Sequence, residues 1–249
     1  MNFFINAVFF LQCFISFSQL MKLETFNNKI STEKIQKIEQ MIQFQSEYYE
    51  SLFNFKIKTL NIVLFTNLKN YKQIRKLILR HTPLNYGFYN NPSEQIFVYK
   101  NDTFLQTIYH EINHAIVSQI IENPPNWIDE GMAEFFEYCS VSANSVEVKF
   151  QPNRLSKIKK WYEKNDLDLK KFLRFSNSEW RDKNTYPNGY SYTVSYALIY
   201  YLYFKHPGAI GQIFKQIKNG SNSLDALEAA TKTKIKVFEK DFETFFNSY

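Results

Sequence analysis

Ile35, Ile38, Met41, Ile42 and Gln45 recur every three or four positions after Ser31 and Thr32, either of which can cap a helix. The period then changes. Residues 57–66, IKTLNIVLFT, are rich in β-branched residues and predict a strand, while 68–80 return to helical spacing. Residues 86–100, YGFYNNPSEQIFVYK, predict a hairpin that turns at Asn90-Asn91-Pro92-Ser93. Asp102 or Thr103 caps a helix running to about Ile121, with Phe104, Ile108, Ile112, Ala115 and Ile116 as its apolar stripe. The run NPPN breaks that helix, and Asn126 caps a second one from Trp127 to about Cys139. Residues 141–150 predict a short hairpin. From Arg154 the pattern stays helical, interrupted over 177–189 and at His206-Pro207-Gly208. Strands early and helices late predict an α+β fold: a small N-terminal sheet with helices, a helix pair, and a mostly helical C-terminal lobe. On this reading 19–56 is a helical segment. Residues 57–249 form one domain, with the sheet and helix pair in 57–140 and the helical lobe in 141–249.

Ahead of these elements, residues 3–17 are mostly apolar and uncharged, and Ser16-Phe17-Ser18 places small residues three and one positions before Gln19. That is the layout of a secretory signal peptide over 1–18, cleaved after Ser18, although no Lys or Arg precedes the apolar run. The run falls short of the roughly 20 residues a spanning helix needs. The expectation is therefore a secreted or periplasmic protein with no integral membrane span after cleavage. Leu11-Gln12 lacks the small residue that stands before the cysteine of a lipoprotein signal, so Cys13 is not read as lipidated. Cleavage leaves Cys139 alone, which excludes an intrachain disulfide. Net charge is +6, yet Lys and Arg are interspersed with Glu and Asp. Lys157-Ile158-Lys159-Lys160 and Lys170-Lys171 read as solvated helix faces, and no nucleic-acid partner is expected.

Two of the four histidines bracket a glutamate in TIYHEINHAIV, residues 107–117. On a helix, positions i and i+4 differ by roughly 40° around the axis and 6 Å along it, so His110 and His114 can reach one ion. Zinc favours imidazole nitrogen, and a catalytic site holds it with three protein ligands and an open position. Glu111 lies one position over, where it can accept a proton from bound water. Thr107, His110, Glu111 and His114 form a polar seam beside the apolar stripe. A five-residue match alone is moderate support, and a third ligand strengthens it. NWIDEGMAEFFE places Glu130 in the first turn of the next helix, which an antiparallel helix pair would fold over the histidine face. Glu134, one turn on, is placed to take the spare N–H of a ligand histidine. Glu137 reads as part of a solvated acidic face.

His110-Glu-x-x-His114 followed by Trp127-x-x-Glu130-Gly131-x-Ala133-Glu134 resembles the gluzincin zinc metallopeptidases, and within them the peptidase-MA-like group. GFYNNPSEQIFVY is similar to the hairpin those domains place before the metal helix, and YTVSYALIYYL to the tyrosine-led helix that follows the metal site. The resemblance covers roughly residues 57–245. It implies a gluzincin-like peptidase domain over 57–249, one zinc on His110, His114 and Glu130, Glu111 as general base, and Tyr192 as oxyanion donor, with Tyr190 and Tyr196 as alternatives. The aminopeptidase relatives carry an acid on the edge strand that binds a free amine. Here that stretch reads Gly87-Phe88-Tyr89-Asn90-Asn91, with no acid before Glu94, which favours endopeptidase-like cleavage of a peptide or protein. The strand ending near Tyr99 is the expected place for an extended substrate to add. One rival is a catalytically inactive binding module of the cell envelope that keeps the peptidase fold. A structural zinc protein is the other, disfavoured because such sites usually have four ligands rich in Cys.

Overall fold

The computed structural model describes residues 20–26, 30–80, 85–142, 145–183 and 189–248. The signal peptide read over 1–18 lies outside the described residues. Four strands form the main sheet: β1 (Met21–Phe26), β2 (Leu60–Phe65), β3 (Gly87–Asn90) and β4 (Gln95–Tyr99). Their spatial order is β1-β2-β4-β3, with β1 and β4 parallel to β2 and β3 antiparallel to β4. The fold is α+β, as the order of elements predicts. One correction concerns 19–56, which is not purely helical. Its first residues are β1, and the long helix α1 (Thr32–Phe53) is the crossover that parallel pairing with β2 requires. The stretch MKLETF carries two charged residues on an edge strand, a weak signal beside the helical period that follows.

Alternation along the strands separates two cores. Ile62, Leu64, Ile96 and Val98 are buried with α1 and with α3 (Phe104–Ile120) on one face. Val63, Phe65, Phe88 and Phe97 are buried on the other face against Tyr71 of α2 (Leu68–Leu79). The period of 2 along a strand produces this division. The predicted hairpin is observed as β3 and β4, joined by a 3-10 turn at Asn91–Ser93.

A five-residue connection leads from α3 to α4 (Asn126–Glu137). Asn126 does not cap this helix. Pro125 takes the N-cap place, and the Asn126 main-chain N–H donates to Asn177 Oδ1 at 3.2 Å. An otherwise orphaned helix-start donor is thereby satisfied by α7 (Asn177–Asp182). Ser140–Val141 and Val146–Glu147 form the short antiparallel pair β5–β6, as expected from 141–150. The lobe also holds α5 (Pro152–Glu163), α6 (Leu169–Phe172), α8 (Tyr190–Lys205), α9 (Ala209–Lys218), α10 (Ser223–Thr231) and α11 (Ile235–Asn247). Residues 191–202 of α8 are buried on all sides except at Tyr192, so this helix is the centre of the lobe. Gly131 lets α4 sit against it: a Cβ there would stand 2.9 Å from the Ser195 carbonyl oxygen and from Ile199 Cγ1. Among the described residues, no helix is long and apolar enough to cross a membrane.

Candidate metal centre

The apolar stripe of α3 anchors it on the sheet and on α1, which turns the polar seam toward α4. His110 Nε2 stands 3.3 Å and His114 Nε2 3.7 Å from Glu130 Oε2. Tetrahedral ligands at about 2.0–2.2 Å from one zinc lie roughly 3.3–3.6 Å apart. The two distances are close to that range, and the ligand atoms of the three residues all lie within 4.8 Å of one another.

The other ring nitrogens explain why these faces converge. His110 Nδ1 is 3.0 Å from Glu137 Oε2, and His114 Nδ1 is 3.0 Å from Asp129 Oδ1. A carboxylate at Nδ1 favours the N–H on that nitrogen and leaves Nε2 its lone pair. Glu137 does so for His110 through a hydrogen bond. Asp129 does so for His114 by proximity of charge, since its Oδ1 has no hydrogen bond of good geometry among the described residues. Glu130 Oε2 is itself buried, and no hydrogen-bond donor among the described residues meets it in good geometry. Three lone pairs facing one point repel unless positive charge lies between them. The acid–base balance agrees. Burial favours neutral rings, yet Glu130 and Glu137 hold His110 well above its usual range. His114, with Asp129 and Glu130 beside it, is pushed up to about 9. Burial opposes ionisation of Glu130 as well, but the two imidazoles keep its carboxyl below the ordinary value. Protons on the rings or one divalent cation can supply the charge, and the imidazole-and-carboxylate donor set fits zinc.

Glu134 does not hold a ligand histidine as the spacing suggested. Its carboxylate pairs with Arg154 of α5, and Glu137, three residues on, takes the His110 N–H. Arg154 is fixed in turn by Gln151, to which its Nε donates at 2.8 Å, and by the rings of Tyr138 and Tyr196. Asn113, an unassigned position inside the motif, is fully buried. It donates to the Asp129 carbonyl at 3.1 Å and accepts from the Tyr49 hydroxyl at 2.6 Å. Asp129, Glu137, Asn113 and Arg154 are thus the site residues that motif spacing missed.

Glu111 sits beside the three converging atoms, with its carboxyl raised by burial and moderated by His110 and His114. It accepts the main-chain N–H of Tyr89. β3 passes so close that a Cβ on Gly87 would stand 2.3 Å from Thr107 Cγ2 and 3.3 Å from Glu111 Oε1. The strand ending at Tyr99 cannot accept an added chain, because β4 lies between β2 and β3. The edge beside α3 is β3, β1 being the other edge of the sheet. Tyr99 N–H donates to the Tyr86 carbonyl, so by alternation Gly87 and Tyr89 turn their N–H and C=O groups outward.

Glu111, His110, His114, Glu130, Tyr89 and Tyr192 line one cleft of about 390 Å³. Tyr192 packs edge-on against Trp180 at 4.8 Å. Burial, then the carboxylates of Glu130, Glu134, Glu111 and Glu137, raise its phenol far above the usual tyrosine range, so it is a neutral O–H donor. The two neighbouring tyrosines lie elsewhere. Tyr190 donates to the Asp166 carbonyl and packs on Trp161, and the Tyr196 hydroxyl reaches the Lys149 carbonyl.

No curated protein matches the chain. Residues 104–223, a little under half of it, match a family described as "Protein of unknown function (DUF1570)". The matched stretch opens at the first residue of α3 and ends at the first of α10, and so contains His110, Glu111, His114, Glu130 and Tyr192.

Proposed function

We propose that the protein is an exported, single-zinc metallopeptidase of gluzincin type that cleaves peptide bonds within a chain. One observation carries this reading: two Nε2 atoms and Glu130 Oε2 converge in a cleft that also holds Glu111, Tyr192 and a free strand edge. His110, His114 and Glu130 hold the metal, which when bound acidifies a water and polarises the scissile carbonyl. Asp129 and Glu137 keep the rings in the tautomer that presents Nε2. Glu111 accepts the proton of the attacking water and passes it to the leaving amine. Its buried setting raises its basicity and makes that transfer easier. Tyr192 donates to the carbonyl oxygen as negative charge develops there. The outward N–H of Gly87 and the outward carbonyls of Gly87 and Tyr89 hold the peptide backbone extended along β3, the Tyr89 N–H being turned to Glu111.

The test pairs metal analysis with a fluorogenic peptide library. About one zinc per chain and cleavage that Glu111→Gln lowers about 10²–10⁴-fold are expected. Zinc bound with no peptide cleaved would favour a binding module instead. If zinc-supplemented protein held no metal, the reading would be lost.

A further inference from the structure

Beyond His114 the cleft continues along the last turns of α3, between Tyr89 and Asn91 on one side and Val117, Ser118, Ile121 and Glu122 on the other. We propose that this extension binds a lysine or arginine side chain of the peptide, two or three residues from the bond that is cut. The proposal rests on the peptidase reading, since it names the substrate class of the same cleft.

Val117 and Ile121 are buried and give an apolar wall that suits the methylene stem of a long cationic side chain. The two sides are joined where the Ser118 hydroxyl donates to the Tyr89 hydroxyl at 3.0 Å, and that hydroxyl in turn reaches Asn91 Oδ1 at 3.4 Å. These polar groups satisfy one another and leave the wall uncharged. The charge stands at the rim. Glu122 is exposed and makes no ion pair or hydrogen bond among the described residues, unlike the inner carboxylates that work on the metal ligands.

The field of the whole cleft has the same sign. The chain carries a net +6, yet among the described residues no Lys or Arg lines the cleft. With a dication held by Glu130 and two neutral imidazoles, the lining carboxylates of Glu111, Asp129 and Glu122 still outnumber the remaining positive charge. A concave site of one sign draws the opposite charge and repels its own. The distance suits a nearby side chain. Ser118 lies roughly 6 Å beyond His114 at helical rise, and Glu122 follows just past the end of α3 at Ile120. An extended peptide advances about 3.4 Å per residue.

Binding is measured by fluorescence anisotropy on zinc-loaded Glu111→Gln protein, with labelled heptapeptides in which Lys, Arg, Leu or Glu is scanned through every position. At one position Lys and Arg should bind about two- to fivefold tighter than Leu, the range of an exposed ion pair, with Glu weakest. The preference should shrink at 0.5 M salt and reverse toward Glu in a Glu111→Gln, Glu122→Lys protein. Equal binding of the four residues at all positions overturns the proposal, as does a Lys preference that survives Glu122→Lys. Peptides that fail to bind at all overturn it too. Wild-type protein that cleaves nothing defeats the peptidase reading alone, because the binding comparison needs no turnover.

Discussion

Asn113 Nδ2 donates to the main-chain carbonyl of Asp129 at 3.1 Å, and this bond ties the first turn of α4 to the middle of α3. The adjacent residues are the proposed ligands: His114 follows Asn113, and Glu130 follows Asp129. Asn113→Leu removes that bond and strands the buried Tyr49 hydroxyl as well. Each unsatisfied buried group costs about 1–3 kcal/mol. We expect weaker zinc binding by about tenfold or more together with a lower Tm. Tyr49→Phe, which removes only the outer bond, should lower Tm and leave zinc affinity nearly unchanged. Calorimetry and a chelator competition separate the two. Equal zinc affinity in Asn113→Leu and wild type would mean that α4 is placed without this bond.

Glu137 takes the place beside His110 that spacing assigns to Glu134, and Glu134 is buried against Arg154. Glu137→Gln should lower zinc affinity about 10–100-fold by weakening the partner of His110 Nδ1. Arg154→Met acts differently, because it leaves Glu134 buried without its cation. Such a loss destabilises by about 3–5 kcal/mol, whereas Arg154→Met with Glu134→Leu should recover most of it. Denaturant titration of the three proteins reads this, and a double variant no more stable than Arg154→Met would count against the pairing.

Local spacing is enough to place Glu130 over the histidine face but not to tell which glutamate meets His110 Nδ1. Glu130 was legible because helix period and a short connection bring a first turn back over the histidine face. The distinction between Glu134 and Glu137 depends on Arg154, which arrives from α5 twenty residues later, and no local period reports that contact. The core stripe of α3 and the hairpin were legible for the same reason as Glu130: one face is buried and the period is plain. β1 was not, since its pairing partner is distant in sequence and half of its residues face outward. The strand ending at Tyr99 is interior and β3 is the edge beside the cleft, because strand order is a tertiary fact. Only the observed sequence β1-β2-β4-β3 leaves β3 free.

Gly131 separates packing from chemistry. Any Cβ there meets the Ser195 backbone oxygen at 2.9 Å, and a backbone atom cannot swing aside as a side chain does. Gly131→Ala should push α4 from α8 and cost about 1–3 kcal/mol by overpacking. Because Glu130 is the preceding residue, zinc affinity should fall with stability. Thermal unfolding with and without zinc tests this. A variant as stable as wild type would show that the helices part at no cost.

Cys139 should behave as an inert thiol. It is buried, and burial pushes its pKa up to about 12. Thiolate is the reactive form, so iodoacetamide at pH 8 should label it far more slowly than an exposed cysteine, in a Cys13→Ser background. The sign for stability follows. The unfolded thiol loses its proton from about pH 9 while the folded one keeps it, so the cysteine's contribution to stability declines as pH rises from about 9 toward 12. Rapid labelling of native protein would place the thiol at the surface.

Tyr192 is the residue whose role kinetics can isolate. Its ring is seated edge-on to Trp180 and its hydroxyl stays protonated, so Tyr192→Phe removes a donor and little else. If that donor meets the oxyanion, it acts in the transition state. Loss of one such donor costs about 10²–10³ in kcat, roughly 2.7–4 kcal/mol. KM should move little, because the ground-state carbonyl barely uses the contact. Zinc content and Tm should hold, since the hydroxyl is not among the three atoms that converge on the metal position. The controls are set by what the neighbours touch. Tyr190→Phe gives up a bond to the Asp166 carbonyl and Tyr196→Phe one to the Lys149 carbonyl, both away from the cleft. Both should turn over near the wild-type rate, with at most a small drop in Tm. A Tyr192→Phe protein as fast as these two would make the residue a wall of the cleft and nothing more. A large rise in KM at constant kcat would make it a substrate contact used equally before and during the reaction.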